Sequence, residues 1–195
     1  MRLLVLGGSG QLGTQLRRFT LPLGILLFAP PRAAIDLRDP TAIQRLIEAQ
    51  RRSVVINAAG YTNVDRAESE EDVAFAINAG AAACLAEETG KRGIPVIYIS
   101  TDYVFDGGKG APYAEQDFAA PLNAYGRSKI AGELRVSAAN PRHVILRAHG
   151  SIALMGRTLF EQFCGLPKSE NASPLLTTNL VVQLRRGIWQ KHAWI

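Results

Sequence analysis

The stretch that decides the fold is Met1 to Gly13, MRLLVLGGSGQLG. Its apolar run Leu3–Leu6 is short and continuous, which is typical of a strand buried on both faces of a parallel sheet. The run ends in a glycine-rich turn, after which Leu12, Leu16 and Phe19 recur at helical spacing. We therefore predict a strand, a tight turn and a helix, which together begin a βαβ unit.

Outward from this stretch, strand and helix patterns alternate along the chain. Strands are predicted at 25–28, 54–56, 96–99 and 143–146, and helices at 40–47, 69–91 and 124–137. Such alternation with right-handed crossovers predicts an α/β fold, a doubly wound parallel sheet with helices on both faces. Ligands bind beyond the carboxyl ends of the strands in these sheets, so we expect the site in the loops that follow them.

Three glycines, Gly7, Gly10 and Gly13, form the pattern G-x-x-G-x-x-G between the first strand and the first helix. Glycine allows a tight turn and a close approach of backbone to a pyrophosphate, while the helix N-terminus offers free N–H groups. The pattern favours a dinucleotide site. A purely structural glycine turn is the alternative.

The second predicted strand ends without a carboxylate. Sites that prefer NAD usually place an Asp or Glu there, where it binds the ribose hydroxyls. Here the sequence reads FAPPR over residues 28–32, and Arg32 is available to a 2′-phosphate. This favours NADPH over NADH, with a merely solvated Arg32 as the alternative.

The residues that suggest catalysis are Thr101, which follows the fourth strand, and the pair Tyr125 and Lys129 in the pattern Y-x-x-x-K. Positions i and i+4 share a helix face, so Lys129 can lie about 6 Å from Tyr125. We expect the lysine, together with a nicotinamide cation, to lower the pKa of the tyrosine. Tyr125 then supplies a proton while Thr101 binds a substrate carbonyl. A packing tyrosine beside a solvated lysine is the alternative for this pattern.

Composition limits the function classes. Hydrophobic residues make up 47% and charged residues 20%, as in a globular protein. No apolar run approaches the roughly 20 residues that cross a bilayer, so we expect no membrane partner and a cytoplasmic location. The net charge of +5 is concentrated in residues 148–195, which argues against nucleic acid. Cysteine and histidine spacing predicts no metal site.

Four strings resemble those of a known family: GGSGQLG at 7–13, VINAAGYTNVDRAE at 55–68, STDYVFDG at 100–107 and PLNAYGRSKIAGE at 121–133. The chain resembles the extended short-chain dehydrogenase/reductase superfamily and, within it, the dTDP-4-dehydrorhamnose reductase family. The resemblance covers about residues 1–147. It implies a Rossmann-like NAD(P)-binding fold.

The resemblance also implies roles for single residues. Thr101, Tyr125 and Lys129 form the catalytic set, and Asp102 lies near the sugar together with Thr101. The family reduces the C4 ketone of dTDP-6-deoxy-L-lyxo-4-hexulose, a dTDP-4-keto-6-deoxy sugar, with NADPH or NADH. For full-length members of the family, the resemblance is compatible with a homodimer. By the same resemblance the cofactor is lined by Gly10, Gln11, Leu12, Asp36, Leu37, Ala58, Ala59 and Gly60.

Two other functions stay open at this point. One is a nucleotide-binding module without catalysis, because the methionine adenosyltransferase regulatory β subunit resembles the same family. The other is a nucleotide-sugar epimerase or dehydratase, which the strings STDYVFDG and VDRAE disfavour. Thr101, Tyr125 and Lys129 favour descent from an enzyme.

The resemblance breaks after Arg147, where the family continues with T-x-W-x-Y and a substrate domain. We expect an NAD(P)-binding domain at 1–147 and an aberrant tail at 148–195, with activity low or absent. Back-translation from residue 148 with the frame moved by one base permits W-x-Y, NFV and DDQ-G-PT strings like those of the family. A one-base slip near Arg147 is our hypothesis, and resequencing that stretch tests it.

Overall fold

A single sheet organises the protein in a computed structural model, which describes residues 1–49, 51–148 and 181–184. The strand order is β2-β1-β3-β4-β5-β6; the first five strands are parallel, and β6 pairs antiparallel with β5. The predicted doubly wound parallel sheet is confirmed. The strands are β1 (Arg2–Leu6), β2 (Leu26–Phe28), β3 (Val54–Asn57), β4 (Val96–Thr101), β5 (His143–Ala148) and β6 (Val181–Leu184).

Helices connect the strands, and the segment predicted as one helix over 69–91 contains an irregular turn. A π-helical turn at Ala76–Ala81 separates two α-helical parts there. Short 3-10 turns lie at Arg32–Ala34 and Asp102–Val104. The α-helices are α1 (Gln11–Arg18), α2 (Pro40–Glu48), α3 (Val64–Ala67), α4 (Glu71–Phe75), α5 (Ala82–Lys91) and α6 (Ala124–Ala139).

Helices cover both faces of the sheet. Because successive side chains of a strand point to opposite sides, each strand contributes to two separate cores. Leu4 and Leu6 pack into a cluster that includes Ile43 of α2 and Leu85 of α5. Their neighbours Leu3 and Val5 join a second cluster with Leu12 and Leu16 of α1. Because β1 to β5 are parallel, their carboxyl ends lie at one edge of the sheet.

Helix α6 begins at a defined residue, which positions the side chains of its first turns. The Asn123 side chain accepts a hydrogen bond from the backbone N–H of Gly126 at 2.7 Å, as an N-cap does. Gly126 lets the helix approach the chain after β4, since a Cβ there would lie 2.2 Å from the carbonyl oxygen of Tyr103. The start of α6 is therefore fixed beside the end of β4.

Strand β6 was not predicted from the sequence. It lies within the segment 148–195 that we expected to be an aberrant tail, and its backbone pairs with residues 144–147 of β5. These four residues show no alternation of apolar and polar side chains that would predict a strand. The strand depends on pairing with β5, which is distant in sequence. The rest of that segment beyond Ala148, including 149–180 and 185–195, lies outside the described residues.

Two features are absent from the described ranges. None of the helices in 1–49 and 51–148 is both long and apolar enough to cross a membrane. In the same ranges no three His, Cys, Asp or Glu side chains are grouped so that they could hold a metal ion.

Candidate active site

The glycine-rich turn closes against the end of β3. Gly7 has φ +82°, a conformation that favours glycine, and its carbonyl accepts a hydrogen bond from the Gly10 N–H at 2.9 Å. A Cβ on Gly7 would lie 2.5 Å from the carbonyl oxygen of Ala58, and one on Gly13 would lie 2.2 Å from that of Gly7. The turn therefore has room for hydrogen but not for a methyl group at either position.

The N-terminus of α1 fits a pyrophosphate. Gly10 is its N-cap and offers no side chain to cap the helix, and the first turn contains no acidic residue. The free N–H groups and the positive end of the helix dipole therefore face the turn. Gln11 is exposed there, whereas the Leu12 side chain is buried in the core, so that only its backbone can face a ligand.

The remaining predicted cofactor residues follow β2 and β3. Ala58 and Ala59 are half-buried and Gly60 is exposed, directly after β3 at the carboxyl edge of the sheet. Arg32 is exposed in the 3-10 turn that follows β2.

Asp36 and Leu37 come after that turn. Leu37 is half-buried against the core. The Asp36 carboxylate is exposed and bonded by Arg38, whose Nη2 lies 2.9 Å from Oδ2. These hydrogen bonds from Arg38 lower the pKa of Asp36, so its carboxylate is ionised and already has a partner.

The three predicted catalytic residues come together at the end of β4. Thr101 is the last residue of that strand, and its hydroxyl is hydrogen-bonded to the Tyr125 phenol. The Lys129 ammonium donates a hydrogen bond to the Ile99 carbonyl at 2.6 Å and lies 4.1 Å from the ring centroid of Tyr98. Tyr125 and Lys129 therefore both contact residues at the end of this strand.

The expected lowering of the Tyr125 pKa is wrong for the residues as they stand. Burial raises the pKa of Tyr125; the hydrogen bond with Thr101 opposes this, and the charges of Asp102 and Tyr103 add to it. Lys129 does not contribute to this shift; its own ammonium is desolvated and donates a hydrogen bond to the Ile99 carbonyl. Tyr125 is therefore a protonated phenol at neutral pH.

Lys129 is the most perturbed base of the site. Burial lowers its pKa to about 7, and the negative charge of Glu133 opposes that effect. Its side chain is only 4% exposed. A buried lysine whose pKa lies near neutrality is typical of a functional site.

The glycine-rich side and the tyrosine side of the site meet at Gly60. A Cβ on Gly60 would lie 3.9 Å from the Lys129 Nζ and 3.0 Å from the Asn78 Oδ1. Asp102 is half-buried at the other side, where the Thr101 hydroxyl donates to its Oδ1 at 3.2 Å. The structure thus gathers the loops after β3 and β4 and the first turns of α6.

Sequence reasoning missed Asn78, which connects these elements. Its Oδ1 accepts from the Tyr61 N–H at 2.8 Å, and its Nδ2 donates to the Tyr61 carbonyl at 3.0 Å and to the Ser128 hydroxyl at 2.9 Å. It is 1% exposed and lies in the π-helical turn. Such turns are frequent at functional sites, but a helical pattern in the sequence does not reveal them.

The chain matches a known protein family over most of its length. The family model for the RmlD substrate binding domain matches residues 1–171, which extends beyond the resemblance predicted over about residues 1–147. A dTDP-4-dehydrorhamnose reductase of Sinorhizobium fredii is 40% identical over 166 residues, 85% of this chain and 56% of the relative. One of Mycobacterium tuberculosis is 43% identical over 150 residues, 75% of this chain and 49% of the relative.

Solved structures give the same picture of the fold. A dTDP-4-dehydrorhamnose reductase of Bacillus anthracis, described in complex with NADP, has a TM-score of 0.72 and 36% identity over 74% of this chain and 51% of its own. One of Clostridium acetobutylicum has a TM-score of 0.72 and 34% identity over 74% and 52%. The chain spans about half the length of the curated relatives it matches.

Proposed function

The chain belongs to the family described as the RmlD substrate binding domain, and from that premise we propose that it carries the NADPH-binding and proton-donating part of a dTDP-4-dehydrorhamnose reductase. Such an enzyme reduces the C4 ketone of dTDP-4-dehydro-L-rhamnose to dTDP-L-rhamnose. The proposal concerns residues 1–147 as a nucleotide-binding domain. It assigns no role in binding the sugar to residues 148–195.

One observation carries the proposal: a buried phenol, hydroxyl and ammonium lie together, and the ammonium lies beside the loop after β3 against which the glycine-rich turn closes. Tyr125 is bonded to Thr101, and Lys129 lies beside Gly60. A structural glycine turn alone does not require a buried lysine, because desolvation of an ammonium costs stability. The arrangement is one that a reductase of carbonyl groups needs.

The residues of this chain supply the proton. NADPH, when bound, supplies the hydride that reduces the carbonyl carbon, and its pyrophosphate would be held by the N-terminus of α1 and the turn from Gly7 to Gly13. Tyr125 donates its phenolic proton to the carbonyl oxygen, so the ketone gains one hydride and one proton and becomes an alcohol. The raised pKa of Tyr125 keeps that proton available at neutral pH.

Thr101 and Lys129 support the tyrosine after the proton has left. The Thr101 hydroxyl lowers the pKa of Tyr125, which means that it stabilises the phenolate that Tyr125 becomes. Lys129, one helical turn along α6, is proposed to support this step and to contact the cofactor. Asp102, next to Thr101, faces the sugar in this proposal.

The cofactor is proposed to be NADPH. The relative from Bacillus anthracis is described in complex with NADP. Arg32, in its exposed turn after β2, is available to the 2′-phosphate that distinguishes NADPH from NADH. Asp36 is already paired with Arg38, so its carboxylate is less available for a ribose hydroxyl.

The other sequence-based expectations stay predictions: a dTDP-4-keto-6-deoxy sugar as substrate, a homodimer as in full-length members, the cytoplasm as location, and a tail scrambled near Arg147. The family model reaches residue 171, so it overlaps the start of the segment that we expect to be scrambled. Resequencing distinguishes a true extension of the family sequence from a slipped frame.

The experiment has two arms. NADPH is titrated into the purified chain and binding is followed by quenching of tyrosine and tryptophan fluorescence, and the dTDP-keto sugar is then added while NADPH absorbance is recorded. Saturable binding with loss of absorbance supports a reductase. Binding without turnover is the result expected of a chain that has kept the cofactor half of a reductase and lost the substrate half, and absence of binding by the folded chain contradicts the proposal.

A further inference from the structure

A buried carboxylate lies behind the catalytic residues and bridges two strands. Glu133 of α6 accepts a hydrogen bond from the Ser100 hydroxyl at 2.5 Å. It also accepts from Arg147 of β5, whose Nη2 lies 2.6 Å and whose Nε lies 3.0 Å from its carboxylate oxygens. All three residues are at most 5% exposed. No role for this group follows from the motifs in the sequence.

The network continues the contacts of the catalytic residues. Tyr125, Lys129 and Glu133 are spaced by four residues along α6, so they share one face of the helix. Each contacts one of the last three residues of β4: Tyr125 the Thr101 hydroxyl, Lys129 the Ile99 carbonyl and Glu133 the Ser100 hydroxyl. The end of β4 therefore fixes three successive turns of the helix.

We propose that Glu133 is a positioning residue for the site: it ties α6 to β4 and β5 and holds a negative charge beside Lys129, so that Lys129 stays an ammonium next to Tyr125. The inference rests on the proposed function for its meaning in catalysis. Its physical content, the protonation state of Lys129, is independent of turnover.

The groups around Lys129 show that the Glu133 carboxylate affects its protonation state. Tyr125 and Glu133 lie one helical turn before and after it on α6, and on β4 it contacts the ring of Tyr98. Arg147 of β5 lies behind Glu133, and the charge of Asp102 acts on Tyr125. Tyr98 and Tyr125 are neutral phenols, since burial raises the pKa of both. Of these groups, Glu133 is the one that favours the charged form of Lys129.

A purely structural ion pair would not need to lie here. Replacing a buried ion pair by apolar residues is often neutral for stability, so the pair between Glu133 and Arg147 is weak evidence for a stabilising role. Arg147 also has one nitrogen, Nη1, without a hydrogen-bond partner in the part of the chain that the structure describes. Arg147 therefore orients the Glu133 carboxylate while one of its own hydrogen-bond donors stays unpaired.

The test measures the pKa of Lys129 directly. The chain contains five lysines, so labelling them with carbon-13 at Cε gives five signals, and Lys129 is identified by the signal that Lys129→Met removes. In the unaltered protein this signal should titrate near 7. In Glu133→Gln, which keeps the shape and removes the charge, it should titrate at least about one pH unit lower.

Two variants serve as matched controls. Glu88→Gln removes another buried carboxylate, which is paired with Lys91 and Arg92 on α5. It should lower the pKa of Lys91 and leave that of Lys129 unchanged. Glu133→Asp keeps the charge with a shorter side chain and should restore most of the shift in Lys129.

If Glu133→Gln does not fold, because Arg147 is left buried without its partner, the double variant Glu133→Gln/Arg147→Met removes both charges. Lys129 should still titrate below its value in the unaltered protein. An unchanged Lys129 titration in either folded variant overturns the inference, as does an equal shift in Glu88→Gln. NADPH binding is measured on the same samples, so that a failure of the proposed function is recognised separately.

Discussion

The two ends of the candidate site are built by different means. At the glycine-rich end, the turn from Gly7 to Gly13 is shaped by backbone, and its requirement is the absence of side chains. At the other end, Tyr125 and Lys129 are held by buried side chains and carbonyls of β4. The first end is defined by sterics within a short stretch, and the second by electrostatics between segments that are distant in sequence.

Substitutions at the two ends of the site should therefore cause different losses. A methyl group at the glycine turn collides with backbone, so binding and stability should be lost together. Removal of a hydroxyl or a charge at the tyrosine end leaves the packing in place, so chemistry should be lost while the cofactor still binds. The four predictions that follow test this separation, from the largest expected effect to the smallest.

Tyr125→Phe should produce the largest change. In a version of the chain whose tail is rebuilt in the shifted frame, the rate of keto-sugar reduction should fall by about 10²- to 10⁴-fold, because the proton donor is gone. NADPH affinity should change little, since the ring still packs against Tyr103. Rate measurements at saturating NADPH, with a parallel binding titration, check both parts. Equal rates would remove the role assigned to Tyr125.

Gly7→Ala should damage the other end. Its φ of +82° and the 2.5 Å approach to the Ala58 carbonyl should together lower the free energy of unfolding by about 2 to 4 kcal/mol and abolish NADPH binding. Gly24→Ala is the matched control, because Gly24 has φ +85° but nothing within 4 Å of the added Cβ. It should cost only about 1 kcal/mol and leave binding intact. Denaturant unfolding separates the two, and similar losses in both variants would contradict the steric account.

Lys129 should make stability depend on pH. Its pKa in the folded chain is about 7, below its ordinary value of 10.5, so the unfolded state binds more protons between these values and stability rises with pH there. The slope from this group is at most about 1.4 kcal/mol per pH unit. Lys129→Met should flatten that part of the profile. Denaturant unfolding of both proteins as pH rises from about 7 is the measurement, and parallel profiles would show that Lys129 is not desolvated.

Arg32→Ala should have the smallest effect. Its guanidinium is exposed, so the interaction with a 2′-phosphate is screened by water and salt. NADPH affinity should fall by about tenfold or less and NADH affinity should not change. Titrations with the two cofactors are compared, and an equal loss for both would mean that Arg32 does not distinguish them.

The fold was predictable to the extent that its signals are local. The first five strands and α6 follow from apolar runs and helical spacing, and the glycine turn follows from its position between β1 and α1. The π-helical turn and β6 were not predicted. The first differs from an α-helix by hydrogen-bond register alone, and the second depends on pairing with β5.

Of the site, only the residues that belong to sequence motifs were predictable. Thr101, Tyr125 and Lys129 have motif spacing, so their assembly could be anticipated. Asn78 and Glu133 bond to the neighbouring residues Ser128 and Ser100, and their roles could not be predicted because they depend on burial and on contacts between distant segments. The direction of the Tyr125 pKa was mispredicted for the same reason, because desolvation is a property of the folded chain.

The central claim is that one crevice joins the glycine turn to Tyr125 and Lys129 and holds NADPH. Its most direct test is the carbon-13 signal of Lys129 during a titration of the lysine-labelled chain with NADPH. We predict a saturable shift of that signal, with the exposed Lys91 and the remote Lys109 unchanged, and no such shift in Gly7→Ala. A Lys129 signal that does not respond to NADPH in the folded chain, or that moves only as much as the other lysines do, would contradict the account.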